Sequence, residues 1–386
     1  TQGRLVGQGE GFLEFRRSGD ASFLRGDLTL AGPQGFGMTA SRASLELDGS
    51  WGERGLEGRA TAQIQGISAG DHPPEDLDLA FHAEADSLQL RGTLGTGLGI
   101  MLAGASSPGE FLLERGELRI GSERLSLAGP SILDPWSRDR RLEELAFTGD
   151  DGASSLLMFT ATAPGGEPWR IQVRARDLPA GPILEWVPYG IPTLEDPRLT
   201  GTGAFHGGGD SGGRTGKATV ALTGLLESGG SFRVEAEART DSEWNTFSAD
   251  ARVRERWARV EAALPREDGE GRLRLEVEAE DFPLTPFMGG YGAAGPVQGA
   301  RMSGRLVRHG DQAGGELEGE LRLTVDSWEF VNADQAFQDI DLRLRGEGPS
   351  VEVAASARSN EGSAGLNGTV NLLDGPTPAL DVLVDT

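Results

Sequence analysis

Apolar and polar residues alternate along this chain from one end to the other. The pattern is plain in "DLTL" (27–30), "SLELDG" (44–49), "DLDLAF" (76–81), "SLQLRG" (87–92) and "RLSLAG" (124–129). It continues in "RIQVRA" (170–175), "ATVALTG" (218–224), "FRVEAEA" (232–238), "RLRLEVEA" (272–279), "ELRLTV" (320–325), "DIDLRLRG" (339–346) and "LDVLVD" (380–385). A two-residue period places successive side chains on opposite faces of a strand. Clusters of Gly, Pro, Asp and Ser separate the stretches, as in a meander of antiparallel strands. No stretch keeps helical spacing for three turns. The best candidate, "AGPILEWVPYG" (180–190), is limited by its prolines to a turn or two. The pattern therefore predicts an all-β fold, an elongated antiparallel sheet with helix confined to short turns near 180–190 and 283–291.

One face of that sheet is expected to be apolar. Its lining is predicted to include Ile171, Val173, Val220, Leu222, Val234, Leu273, Leu275, Val277, Leu321, Leu323, Val325, Ile340, Leu342, Leu344, Val351 and Val353. Their polar alternates, among them Arg272, Arg274, Arg322 and Arg343, are expected to face water. A slip of one residue would exchange the two sets.

Two related segments interrupt the alternation. "VRARDLPAGPILEW" (173–186) and "VEAEDFPLTPFMGG" (277–290) share Val173/Val277, Ala175/Ala279, Asp177/Asp281, Pro179/Pro283 and Pro182/Pro286. Apolar residues match in Leu178/Phe282, Ile183/Phe287 and Leu184/Met288. These "D-[LF]-P-x-x-P-[IF]" segments are expected to leave the sheet and cover the mouth of its apolar face. The correspondence runs on through "LTGTGAFHGGGDSGG" (199–213) and "MSGRLVRHGDQAGG" (302–315), and "AQIQGISAG" (62–70) is a weaker echo. Long repeats of this kind predict a stack in which each unit touches its neighbours. We expect one continuous repeating segment over 1–386, cut from a longer chain, with units of roughly 1–155, 156–259 and 260–386. The most irregular joint is "GPSILDPWSRDRR" (129–141).

Composition narrows the function. With 60 acidic and 36 basic residues the net charge is −24, the wrong sign for binding nucleic acid. There is no cysteine, so disulfides and thiolate metal sites are excluded. Aromatic residues make up only 6%, fewer than a closed sandwich normally packs. A trough lined with Leu, Val and Ala would stay apolar without filling itself, and would suit an acyl chain.

No catalytic set emerges. His72, His82, His206 and His309 lack a second His or Cys at metal-ligand spacing. The shared "HG…D" around His206 and His309 reads as hairpin turns. "GTGLG" (95–99) and "GQGEG" (7–11) lack the strand-to-helix context of a phosphate loop. Alternating carboxylates such as Asp76/Asp78 and Glu276/Glu278/Glu280 read as a solvated face. The Asn-Gly of "NGT" (367–369) reads as turn or bulge chemistry. No cofactor, metal or catalytic residue is assigned.

The segments "WRIQVRARDLPAGPILEWVP…LTGTG" (169–203) and "LRLEVEAEDFPLTPF…MSGRL" (273–306) resemble the AsmA-like/TamB family of bacterial envelope proteins. The closing "LRLRGEGPSVEVAASARSNEGSAGLNGTVNL" (342–372) has the same strand-Gly-strand idiom. The resemblance implies a repeating β-groove in the periplasm of a Gram-negative bacterium, tethered to the inner membrane by a helix absent from this sequence. It implies a non-catalytic conduit for phospholipids moving between the inner and outer membranes, with acyl chains as partners. An outer-membrane β-barrel protein is a further candidate partner, through the family's reading as an assembly factor. The competing readings are a structural or interaction module with a closed core and, more distantly, a β-helical polysaccharide lyase. What separates the first two is whether the apolar face is open to guests or buried against itself.

Overall fold

The computed structural model describes residues 6–18, 21–35, 38–52, 55–69, 73–84, 86–107, 110–134, 139–149, 155–164, 168–185, 194–207, 214–226, 230–241, 243–265, 272–287, 294–310, 315–330, 335–360, 362–371 and 379–385. The protein is all-β, as the alternation predicts. The chain contacts define two compact units, one of Thr1–Tyr189 with Arg198–Gly212, the other of Gly190–Pro197 with Gly213–Thr386.

In the first unit the strands are β1 (Val6–Ser18), β2 (Ala21–Gly35), β3 (Met38–Thr39), β4 (Arg42–Gly52), β5 (Gly55–Ala69), β6 (Glu75–Glu84) and β7 (Ser87–Leu94). They continue as β8 (Leu98–Ser107), β9 (Glu110–Ile120), β10 (Glu123–Leu127), β11 (Ser131–Asp134), β12 (Asp139–Gly149), β13 (Leu156–Pro164), β14 (Trp169–Pro179) and β15 (Leu194–Gly207), of which 194–197 are assigned to the second unit. Between β14 and β15 lies α1 (Gly181–Leu184). Pairing is antiparallel and mostly between sequence neighbours, from β4–β5 through β8–β9 and again from β12 through β15. Between β9 and β12 the short strands β10 and β11 each pair with both. The segment 129–141 thus contributes β11 and the start of β12, while 135–138 lie outside the described residues.

The second unit holds β16 (Arg214–Leu226), β17 (Ser231–Thr240), β18 (Trp244–Val253), β19 (Arg256–Pro265), β20 (Leu273–Pro283), β21 (Ala294–Gln298) and β22 (Arg301–Gly310). It ends with β23 (Gly315–Phe330), β24 (Gln335–Gly348), β25 (Ser350–Ser359), β26 (Gly362–Asn371) and β27 (Ala379–Asp385). Antiparallel neighbours run from β16 to β20, then β22 through β27. A 3-10 turn, Thr285–Phe287, follows β20. Among the described residues helix is therefore confined to the two proline-limited segments, as expected. No helix among the described residues is long and apolar enough to cross a membrane.

Two expectations need correction. Asn367-Gly368 sits inside β26, with Asn367 opposite Ala354 and Gly368 opposite Val353; the strand's register overrides the turn preference of the dipeptide. The segments "D-L-P" and "D-F-P" do not leave the sheet either. Leu178 and Pro179 pair with Leu199 and Arg198, and Phe282 and Pro283 pair with Met302 and Arg301. Among the described residues, those around each second proline, 181–184 and 285–287, depart from it.

The reason lies in Asp177 and Asp281. Both adopt a left-handed backbone (φ 51° and 47°), a conformation open to Asp at modest cost. Each forms a bulge, so that Ala175 and Leu178, or Ala279 and Phe282, stand three residues apart yet share a face. The freed amides are satisfied from the next strand: Asp177 N–H donates to Thr200 Oγ1 (3.0 Å) and Asp281 N–H to Ser303 Oγ (3.0 Å). The echo in "AQIQGISAG" is the same device. Gly66 (φ 63°) makes the bulge, its N–H donates to Asp76 Oδ1 (2.8 Å), and the register shifts between Ile64 and Ile67. What reads as interrupted alternation is a sheet absorbing one extra residue.

Candidate functional site

The register settles which side chains share a face. In the second unit Val220 stands opposite Ala236, Leu222 opposite Val234, and Val234 opposite Ala251. Val277 is flanked by Val260 and Leu306, Leu275 by Ala262 and Arg308, and Leu273 by Gly310. Leu321 pairs with Leu344, Leu323 with Leu342 and Val325 with Ile340. Leu344 then pairs with Val353, and Gly346 with Val351. Directly opposed residues point to the same side, so one apolar face runs across these strands. In the first unit Ile171 lies between Ala161 and Phe205, and Val173 between Phe159 and Gly203, on that unit's own apolar face.

The other face carries the charges. Arg272, Arg274, Arg322 and Arg343 are exposed. Glu276, almost fully buried, accepts from Arg305 Nε (2.6 Å) and Arg274 Nη2 (2.7 Å), which hold its carboxyl below the usual range. Asp341 accepts from Arg322 through both oxygens (2.8 and 2.9 Å) and from Arg343 (2.9 Å). The Arg322 hydrogen bonds pull its pKa down to about 2 against the opposing pull of burial, with Arg343 adding to the shift. These ladders hold acidic strands together at the solvent side.

The apolar face is not uniformly covered. In the first unit Leu88, Leu102, Phe111, Leu113, Ile120, Leu125, Leu145, Phe147, Ala175 and Leu178 pack into one cluster. Leu125 and Phe147 have essentially no exposed surface (0% and 1%). Here the face fills itself. Strands β2 to β7 differ. Leu28, Leu30, Leu45, Ala62, Ile64, Ile67, Leu77 and Leu94 line an open apolar cavity of about 590 Å³, with Met38 and Pro33 at its side. Leu28 and Met38 remain 38% and 40% exposed. None of these residues belongs to the predicted lining, although "DLTL", "SLELDG", "AQIQGISAG" and "DLDLAF" spell strands that carry them.

The segments after the bulges pack back onto neighbouring parts of the sheet. On α1, Pro182 lies close against the turns at Gly97 and Gly121: a Cβ added at either glycine would stand 3.0 or 3.2 Å from it. Ile183 and Leu184 are half-buried, and Leu178 beneath is 3% exposed. In the second unit the Phe287 ring meets Phe232 (5.7 Å between centroids) and Phe282 (5.5 Å). Met288 lies outside the described residues. The turn is pinned to the sheet by Leu284 N–H donating to Ala300 O (2.8 Å) and Ala300 N–H to Thr285 Oγ1 (2.9 Å).

Away from that turn several apolar residues of the face are exposed. Val220, Phe247, Leu264 and Leu275 are 37–45% exposed. The histidine-glycine pairs flank strand ends, His206-Gly207 closing β15 and His309-Gly310 closing β22. Comparison of the chain with protein-family models, curated proteins and solved structures gives no match.

Proposed function

We propose that this chain is a non-catalytic segment of a lipid conduit, holding phospholipid acyl chains against its apolar face and passing them across the periplasm between the inner and outer membranes. The observation that carries the reading is the open apolar cavity of about 590 Å³ between β2 and β7. An exposed aliphatic surface of this kind is costly in water, and occupation by an acyl chain removes that cost at roughly 0.8 kcal/mol per buried methylene. In this reading the register supplies a path within each unit, since neighbouring strands there present apolar residues to one side. The charged face keeps the acidic chain in water. The family resemblance supplies the compartment and the inner-membrane tether, and leaves an outer-membrane β-barrel protein as a partner to be sought.

The self-packed cluster around Phe147 favours a second reading for that part of the chain, a structural β module whose closed core carries nothing. Mass spectrometry of gently purified protein tests the two. Co-purifying phospholipid, lost when Leu45 is changed to Asp but kept when a solvent-face residue such as Glu46 is changed, supports the conduit. Protein free of lipid, with no uptake from vesicles, leaves the structural module.

A further inference from the structure

One cross-strand row of the second unit runs Phe247, Ala262, Leu275, Arg308, Leu317 and Gly348, each residue directly opposite the next. Arg308 is the one charged member, set among apolar neighbours on the face that the pairing makes apolar. Its surroundings do not satisfy it. The Nε is buried and has no hydrogen-bond partner among the described residues. A buried guanidinium N–H left unpaired is costly, and this chain has acidic residues to spare. Arg305 and Arg274, on the opposite face of neighbouring positions, are both paired to Glu276. Gly315 keeps the space beside it clear, since a Cβ there would stand 3.3 Å from Arg308 Nε. The adjacent Leu275 and Phe247 are 37% and 44% exposed.

A single cation beside open aliphatic surface matches one kind of molecule: an amphiphile with an anionic phosphate head and apolar tails. We propose that Arg308 anchors the phosphate of a membrane phospholipid whose acyl chains lie along the Leu275 side of this row. The inference rests on the lipid reading above and adds a headgroup contact to it. Arginine suits the task because its planar fork donates two parallel hydrogen bonds to a phosphate.

The test measures retention of phosphatidylglycerol and of diacylglycerol with the same acyl chains, by wild type, Arg308→Gln and Arg308→Lys. Arg252→Gln, an exposed arginine on the charged face, controls for the loss of one positive charge. Wild type is expected to hold phosphatidylglycerol about tenfold more tightly than diacylglycerol. Arg308→Gln should erase that difference, Arg308→Lys should recover part of it, and Arg252→Gln should leave it intact. Inorganic phosphate at millimolar concentration should not displace the lipid; if phosphate alone binds at Arg308 and lipid does not, the site is a free-anion site and the proposal fails. Equal retention of both lipids by wild type and Arg308→Gln overturns the anchor and leaves the lipid reading standing. Retention of neither lipid by wild type overturns both.

Discussion

Strands β8–β12 and strands β2–β6 are written in the same alternating text, yet one set closes over its apolar side and the other leaves it open. The difference is in what the alternate positions hold. Around the closed part the apolar positions are large: Phe111, Leu113, Leu145 and Phe147 meet in one cluster. The strand connection is the same in both parts: β10 and β11 each pair with β9 and β12, and β3 and β4 each pair with β2 and β5. In the open part Leu28, Leu30, Leu45, Ile64 and Leu77 form the wall, and no aromatic side chain among the described residues reaches into it. Alternation decides which face is apolar. The bulk of the side chains at the apolar positions decides whether that face is filled.

The largest expected effect breaks the closed side. Phe147→Ala should cost about 3–5 kcal/mol of unfolding free energy, the usual price of a large cavity in a packed core. Phe147→Asp should leave no folded protein at room temperature, because a carboxylate would be buried without a partner. The same chemistry on the open side should be mild. Leu45→Asp, and Leu275→Asp in the second unit, should each cost no more than about 1–2 kcal/mol, since the new charge stays hydrated. Denaturant melts compare them directly. Equal losses at Phe147 and Leu45 would erase the distinction between the two regions.

The solvent face offers an intermediate test. The pKa of Asp341 is lowered to about 2 by Arg322 and Arg343, below the unfolded value of about 3.9. The stabilisation is thus complete above about pH 5 and is lost as pH falls from about 4 to 2. The arginine partners are about half exposed (48% and 50%), so solvent screening limits the contribution to about 1 kcal/mol. Asp341→Asn should lower stability by that amount at pH 7 and flatten this part of the acid dependence. Stability that rises on acidification through this window would contradict the assignment.

Smaller still are the bulges. Thr200→Ala and Ser303→Ala remove the acceptors for the amides of Asp177 and Asp281 and should each cost about 1 kcal/mol. Faster amide exchange at Asp177 and Asp281 in the respective variants would accompany the loss. Unchanged exchange would mean that the hydroxyls do not hold the bulges.

Much of this fold is legible in the text of the chain. The period-2 stretches locate the strands, and in the second unit the register sets Leu321 against Leu344 and Val325 against Ile340 on one face. The two proline-bounded segments mark the short helical turns. The bulges are half legible. Asp177 and Asp281 stand out as a repeated pair, but a left-handed backbone cannot be read from Asp alone, so the alternation by itself ends each strand too early. Asn367-Gly368 misleads in the opposite direction, because pairing on both sides outweighs local turn preference. The cavity is the least legible feature. Leu28, Leu45 and Leu77 lie in recognisable strands, but that they leave about 590 Å³ unfilled depends on contacts between distant strands.

The central claim, that the open apolar face of β2–β7 takes acyl chains, is tested most directly by photocrosslinking. A benzophenone side chain at Leu45 probes the cavity, one at Glu46 probes the opposite face of the same strand, and one at Phe147, if that variant folds, probes the closed core. With labelled phospholipid supplied in vesicles, the account predicts crosslinks from position 45 and few from 46 or 147. Absence of crosslinks at 45, or equal labelling at 45 and 46, would contradict it.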